Sequence, residues 1–111
     1  MVYYQVPVER LTRFQAVELL RQCVSSGKII PGKHFRDELA NEKLDIQDAL
    51  RVLKTGQIYN EPEQDIKSGD WKYHCEGREL EGKSLAIVFC FQAVDTAFLI
   101  TVFSISSKGK R

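Results

Sequence analysis

The sequence predicts an α+β fold, with helices from the first half of the chain packed on one face of a four-stranded, mainly antiparallel sheet from the second. Two apolar runs, residues 84–92 and 97–106, are rich in Val, Ile and Phe and too short to cross a membrane. Only Ala93-Val94-Asp95-Thr96 separates them, the length of a hairpin connection. Upstream, apolar residues recur at helical spacing behind recognisable caps, and strand-like patterning begins only after residue 56. Helices followed by a meander of strands place the helices on one sheet face and leave the other as the place to seek function.

Taking the chain in order, residues 2–8 read either as an edge strand or as an extended arm, because Pro7 interrupts pairing. Thr12 and Gln15 form a capping box with Leu11 in the staple position. Phe14, Val17, Leu20 and Val24 then supply one buried helix face, with Arg13, Glu18, Arg21 and Gln22 between them, and Ser25-Ser26-Gly27 ends the helix. Ile29-Ile30-Pro31-Gly32 reads as a turn. Residues 33–43 read as a short polar helix on the surface, anchored by Phe35 and Leu39. Asp45 caps a third helix, with Asp48 in its first turn, Ile46, Ala49, Leu50 and Leu53 toward the core, and Gly56 closing it.

Residues 57–61 read as a short strand ended by Pro62 and the polar residues 63–65. After the turn Lys67-Ser68-Gly69-Asp70, residues 71–78 alternate. Trp71, Tyr73 and Cys75 fall on one face, and Lys72, His74, Glu76 and Arg78 on the other. In the next run Leu85, Ile87, Phe89 and Phe91 share a face while Ala86, Val88 and Cys90 opposite are smaller but still apolar, the pattern of a central strand. Residues 107–111 form a basic tail, expected to fray.

A chain of 111 residues is one domain, and at this size about two thirds of the unfolded-chain surface is buried without metal or disulfide staples. Its 43% hydrophobic and 28% charged content excludes a chain disordered throughout. The net charge of +1 excludes a strongly basic nucleic-acid binder of the histone kind, while leaving room for a local basic patch. Cys23, Cys75 and Cys90 are odd in number and far apart, so they read as small buried hydrophobes and not as a disulfide framework or zinc site. The first residues lack the basic start and apolar core of a secretory signal, which makes the cytoplasm the simplest compartment. No Gly-rich phosphate loop, HExxH, paired metal carboxylates or GxSxG occurs, so nucleotide hydrolases, zinc proteases and serine hydrolases have no support. No cofactor and no metal is expected.

The residue types that remain suit RNA cleavage by 2′-hydroxyl attack. A histidine can take or give a proton, a carboxylate can perform the complementary step, and Arg and Lys can hold the phosphate as charge builds on it. His74 with Lys72, Glu76 and Arg78 is one such set; a solvated strand face carries similar charges. His34 is the other candidate. It opens a helix beside Lys33 and Arg36, where backbone donors favour an anion, with Glu38 one turn on; a surface histidine beside a glutamate has the same pattern. Thr101, in a strand otherwise apolar, can offer a hydroxyl to phosphate or serve only as a strand former. Trp71 and Tyr73 suit base stacking less well than core packing.

His34-Phe35-Arg36, the helix Asp45-Ile46-Gln47-Asp48-Ala49-Leu50, Gly56-Gln57-Ile58, Trp71-x-Tyr73 and Leu99-Ile100-Thr101-Val102-Phe103 together resemble a small bacterial domain-of-unknown-function family. That family is usually grouped with RelE-like and MqsR-like toxins, within the barnase, EndoU, colicin and RelE group of ribonuclease folds. The resemblance spans residues 31–106. It implies a metal-independent endoribonuclease acting on RNA, encoded beside an antitoxin of the MqsA-like type. It also implies functional roles for His34, Gly56 and Thr101. The arginines that members carry further along the histidine helix are replaced here by Glu38 and Lys43, which shifts the expected phosphate contacts to Arg36 and Arg78. The expected catalytic set is thus His34, His74 and Arg78, with Arg36, Lys72 and Thr101 holding substrate. The alternative is a non-catalytic module of the same fold that binds a protein partner through its open sheet face or edge.

Overall fold

The computed structural model describes residues 8–105; the expectations for residues 2–7 and for the basic tail fall outside that range. Three helices and five strands follow in the order α1 (Arg13–Ser26), β1 (Lys28–Pro31), α2 (Lys33–Asn41), α3 (Ile46–Thr55), β2 (Glu63–Gln64), β3 (Trp71–Arg78), β4 (Ser84–Ala93) and β5 (Thr96–Ser104). The strands form one open mixed sheet in the order β1-β5-β4-β3-β2. The α+β class is as expected, but the sheet has five strands instead of four and is mixed.

Two corrections account for the difference. The segment read as the turn Ile29-Ile30-Pro31-Gly32 contains β1, which runs parallel to β5 with Ile29 opposite Ala97 and Ile30 opposite Phe98. Pro31 is tolerated because it ends an edge strand. Residues 57–61 are not a strand. Gln57 makes a single bridge to Glu76, and the pairing with β3 resumes only at Glu63 and Gln64, opposite Lys72 and Trp71.

The expected capping box forms, and the Asp45 cap of α3 is part of a second one. Thr12 Oγ1 accepts the Gln15 N–H while Gln15 Oε1 accepts that of Thr12, and Asp45 and Asp48 do the same for α3. α2 starts at Gly32 without a side-chain cap and is held by Phe35 and Leu39, both buried. It runs beside β5 from Leu99, whose carbonyl accepts the Gly32 N–H, to Ser104, whose hydroxyl donates to Glu42. It therefore covers the part of the β5 edge that β1 leaves free, which removes an aggregation-prone edge.

The helices bury one sheet face. Ala16, Leu20 and Cys23 of α1, Phe35 and Leu39 of α2, and Ala49, Val52 and Leu53 of α3 pack on Tyr73, Cys75, Leu85, Ile87, Phe89, Phe91, Ala97, Leu99 and Val102. The stacked or edge-on rings of Tyr73, Phe89 and Phe91 form its centre, with centroids 5.3 to 5.5 Å apart. The Tyr73 hydroxyl accepts the Leu11 N–H at 3.0 Å, which satisfies its polar end. Both helix faces match expectation in large part. In α1 Leu20 is buried and Val17 and Val24 pack against the core, but Phe14 is exposed and Ala16 and Cys23 are buried; in α3 Ala49 and Leu53 are buried and Leu50 packs against the core, but Val52 is buried too and Ile46 is exposed.

All three cysteines are free and buried, as the sequence reading had them. Burial pushes the Cys75 thiol from its ordinary value of 9.0 up to about 12, and that of Cys90 up to about 11. The native state thus keeps protons that the unfolded chain releases above about pH 9. Stability from this source is full below pH 9 and falls as pH rises through the window up to 11–12. The expected result is slow alkylation of the native thiols at pH 8 and fast alkylation in denaturant, with a urea midpoint that declines between pH 9 and 11. A fast native reaction at pH 8 would contradict the burial.

Candidate functional site: the open face of β3

The face of the sheet away from the helices carries the side chains that the sequence singled out on β3. Because Tyr73 and Cys75 point into the core, Lys72, His74, Glu76 and Arg78 point the other way. Register places His74 beside Val88, and Val88 beside Thr101, in one row; Glu76, Ala86 and Phe103 form the next. His74 and Thr101 are therefore two strand spacings apart, about 10 Å. The centre of this face is apolar, with Ala86, Val88 and Cys90 buried between the two flanking strands.

The chain beside β3 turns this face into a cleft. Gly56 closes α3 and lies directly against β3. A Cβ there would come 2.5 Å from the Glu76 carbonyl oxygen and 2.6 Å from that of Val52, and a Cβ on Gly77 would come 2.9 Å from the Gly56 Cα. With both side chains absent, Gln57 exchanges backbone hydrogen bonds with Glu76 at 2.9 Å. Residues 58–62, with Ile58 and Pro62 buried, form an unpaired arch before the chain rejoins β3 at β2.

Arginines of α1 and the segment before it fasten this arch. Arg21 donates to the carbonyls of Leu53 (3.1 Å) and Gly56 (2.7 Å), which satisfies the end of α3 and opposes its dipole. Arg13 donates to the Tyr59 carbonyl at 3.2 Å, and Arg10 pairs with Glu61 at 3.4 Å. The sequence reading placed Arg13 and Arg21 merely between apolar positions; their partners lie more than thirty residues away, beyond local pattern.

Between the arch and the open face lies a cleft of about 650 Å³ lined by Tyr59, Asn60, Glu76, Gly77, Arg78, Ser84 and Ile105. A smaller cavity of about 100 Å³ adjoins it through Asn60 and is lined by Glu61, Glu63, Lys72 and His74. Glu76, one pleat from both His74 and Arg78, is the natural centre of the site. Successive side chains on one strand face stand about 7 Å apart, so Glu76 lies about that far from each of its neighbours and His74 and Arg78 stand about 14 Å apart. Tyr59, Asn60 and Ser84 escaped the sequence reading because nothing local marks them.

Charge on the face is mixed. Lys72 pairs with Asp65 at 3.4 Å. The Asp65 carboxyl lies below its ordinary range, chiefly because it accepts the N–H groups of Ser68 and Lys67, and secondarily because of Lys72. Arg78 Nη1 donates to the Gly82 carbonyl at 3.2 Å and remains exposed. The turn it touches is organised by buried Glu79, whose Oε1 accepts the N–H groups of Glu81 and Lys83. At the far end of β5, Glu42 accepts from Ser104 Oγ at 2.6 Å and from Lys83 Nζ at 2.9 Å. Those contacts, that from Ser104 first, hold its carboxyl below the ordinary range.

His34 and Arg36 lie elsewhere. Both are exposed on α2, which packs against β5, so β5 and β4 separate them from β3. Beside them Lys33 pairs with Asp37 at 3.1 Å. The six expected residues thus divide into a β3 set, His74, Arg78 and Lys72, with Thr101 across the same face, and an α2 pair. Among the described residues no cluster of His, Cys, Asp and Glu is arranged to hold a metal ion, and no helix is long and apolar enough to cross a membrane.

The model of a family described as "Domain of unknown function (DUF4258)" matches residues 31–104. The chain belongs to this family. A search of curated proteins and of solved structures gave no match. The DUF4258 stretch contains α2, α3, β2 to β5 and every expected site residue, whereas α1, which holds the arch through Arg13 and the end of α3 through Arg21, precedes it.

Proposed function

We propose that this protein is a metal-independent endoribonuclease of the RelE-like and MqsR-like toxin kind, with a RelE/barnase-like fold, and that β3 carries its active site. The observation that carries this reading is the cleft that brings Glu76 and Arg78 together with Tyr59, Asn60 and Ser84, next to His74 on the same face. In the mechanism it supports, the Glu76 carboxylate takes the proton of a ribose 2′-hydroxyl as that oxygen attacks the adjacent phosphorus. Arg78 holds the non-bridging oxygens while negative charge develops, and protonated His74 gives its proton to the departing 5′-oxygen. The products are a 2′,3′-cyclic phosphate and a free 5′-hydroxyl, so no water or metal enters the cleavage step.

The proposal includes a protein antitoxin, MqsA-like, that would neutralise this activity in the cytoplasm. A second reading, a binding module without catalysis, is favoured by Ile30 and Phe103, which stay exposed on the same sheet face. Inducible expression in bacteria separates the two. Growth arrest with fragmentation of total RNA by the wild type, both lost in a soluble, folded His74→Ala variant, is the result expected of the ribonuclease. A harmless wild type whose purified form leaves RNA uncut in EDTA would remove it in favour of the binding module.

A further inference from the structure

One row of the open sheet face forms the end of the cleft. Register places Arg78 of β3 directly opposite Ser84 of β4, and the pair before it sets the direction of both side chains. There Gly77 faces Leu85, which is completely buried in the core, so Arg78 and Ser84 point to the open face. Side chains directly opposite in an antiparallel pair have Cβ atoms about 4.5–5.5 Å apart, whereas Glu76 is about 7 Å away along β3. On its other side the Ser84 carbonyl accepts the Ile105 N–H at 2.9 Å, so half-buried Ile105 closes the row with an apolar wall. Arg78, Ser84 and Ile105 all line the cleft of about 650 Å³.

We infer that Ser84 is a second phosphate-binding residue of the site, its hydroxyl donating to one oxygen of the phosphate that the Arg78 guanidinium holds by another. This rests on the ribonuclease reading of the cleft and adds a residue to it. Arg78 is steadied from the turn, where Nη1 donates to the Gly82 carbonyl at 3.2 Å, and its other N–H groups keep the planar fork that suits phosphate oxygens. Ser84 brings one hydroxyl proton on a short side chain, from the neighbouring strand and the same row. As a 2′-oxygen adds to phosphorus, charge grows on the non-bridging oxygens, and donors already in place strengthen their hold on them. Ile105 keeps water from one side of this seat, where the lower local dielectric makes both hydrogen bonds stronger.

The test compares single-turnover cleavage of a short RNA in EDTA by the wild type, Ser84→Ala, Ser84→Thr, Arg78→Ala and the double variant, with thermal melts showing each folded. Ser84→Ala is expected to slow cleavage by about 10- to 100-fold, the usual range for a lost hydrogen bond to a charged group. Ser84→Thr keeps the hydroxyl and should restore most of the rate. The double variant should be slower than Arg78→Ala by much less than the Ser84→Ala factor, because both side chains act on one phosphate. Sulfur in place of one non-bridging oxygen should slow the wild type, and Ser84→Ala should lose that sensitivity for one of the two diastereomers, which a serine that only supported the hairpin would not do. A wild-type rate in Ser84→Ala while Arg78→Ala is slow, or a slow Ser84→Ala with unchanged sensitivity to sulfur, would overturn the role of Ser84 and leave the ribonuclease reading intact. A folded wild type that leaves RNA uncut would overturn both.

Discussion

His74→Ala and Glu76→Gln are each expected to slow RNA cleavage by about 10²- to 10⁴-fold, the usual range for loss of one acid–base group. Arg78→Ala should cost about 10²- to 10³-fold, because a donor aimed at developing charge is lost. These side chains are on the open sheet face, away from the core cluster, so stability should change by only about 0.5 kcal/mol. The comparison that gives the result its meaning is His34→Ala. With β4 and β5 between α2 and β3, that substitution should leave the rate within about threefold of wild type. Rates are read from purified protein with EDTA present, and product ends identify the cyclic phosphate. A loss at His34 as large as at His74 would move the site to α2.

Phe89→Ala is expected to have the largest effect on stability. Phe89 is completely buried between Tyr73 and Phe91, on β4 in the middle of the sheet. Removing a buried phenyl ring costs about 3–5 kcal/mol in lost transfer energy and unfilled space. Native domains are stable by only about 5–15 kcal/mol, so this one change removes a large part of the total and should lower Tm by more than about 10 °C. Calorimetry or a urea titration measures it. A loss below about 1 kcal/mol would show that the three rings are not the centre of the core.

How much of this was legible in the sequence follows from how local each determinant is. The β4–β5 hairpin, the Thr12/Gln15 box, the Asp45 cap, the Phe35 and Leu39 anchors and the outward row on β3 each depend on residues a few positions apart, and all are present. β1 and β2 were missed for the opposite reason. Four residues ending in Pro31, and the polar pair Glu63-Gln64, have no strand signature of their own; they are strands because β5 and β3 offer edges to pair with.

The site divides along the same line. Lys72, His74 and Arg78 could be placed on one face from alternation alone, and Thr101 joins them through β4. That His34 stands apart from them depends on sheet order, which no local pattern encodes. Tyr59 and Asn60 reach Glu76 only because Gly56 and Gly77 allow backbone to meet backbone across twenty residues of chain.

The central claim is that a ribonucleotide phosphate sits on the β3 face. The most direct measurement is an NMR titration of the isotopically labelled protein with a short 2′-O-methyl oligoribonucleotide, following backbone amides and the histidine and arginine side chains. The account predicts that the largest shifts cluster at His74, Glu76, Arg78 and Ser84 and extend to Tyr59, with α2 unaffected. Shifts confined to His34 and Arg36, or to Ile30 and Phe103, or no shift at millimolar oligonucleotide, would contradict it.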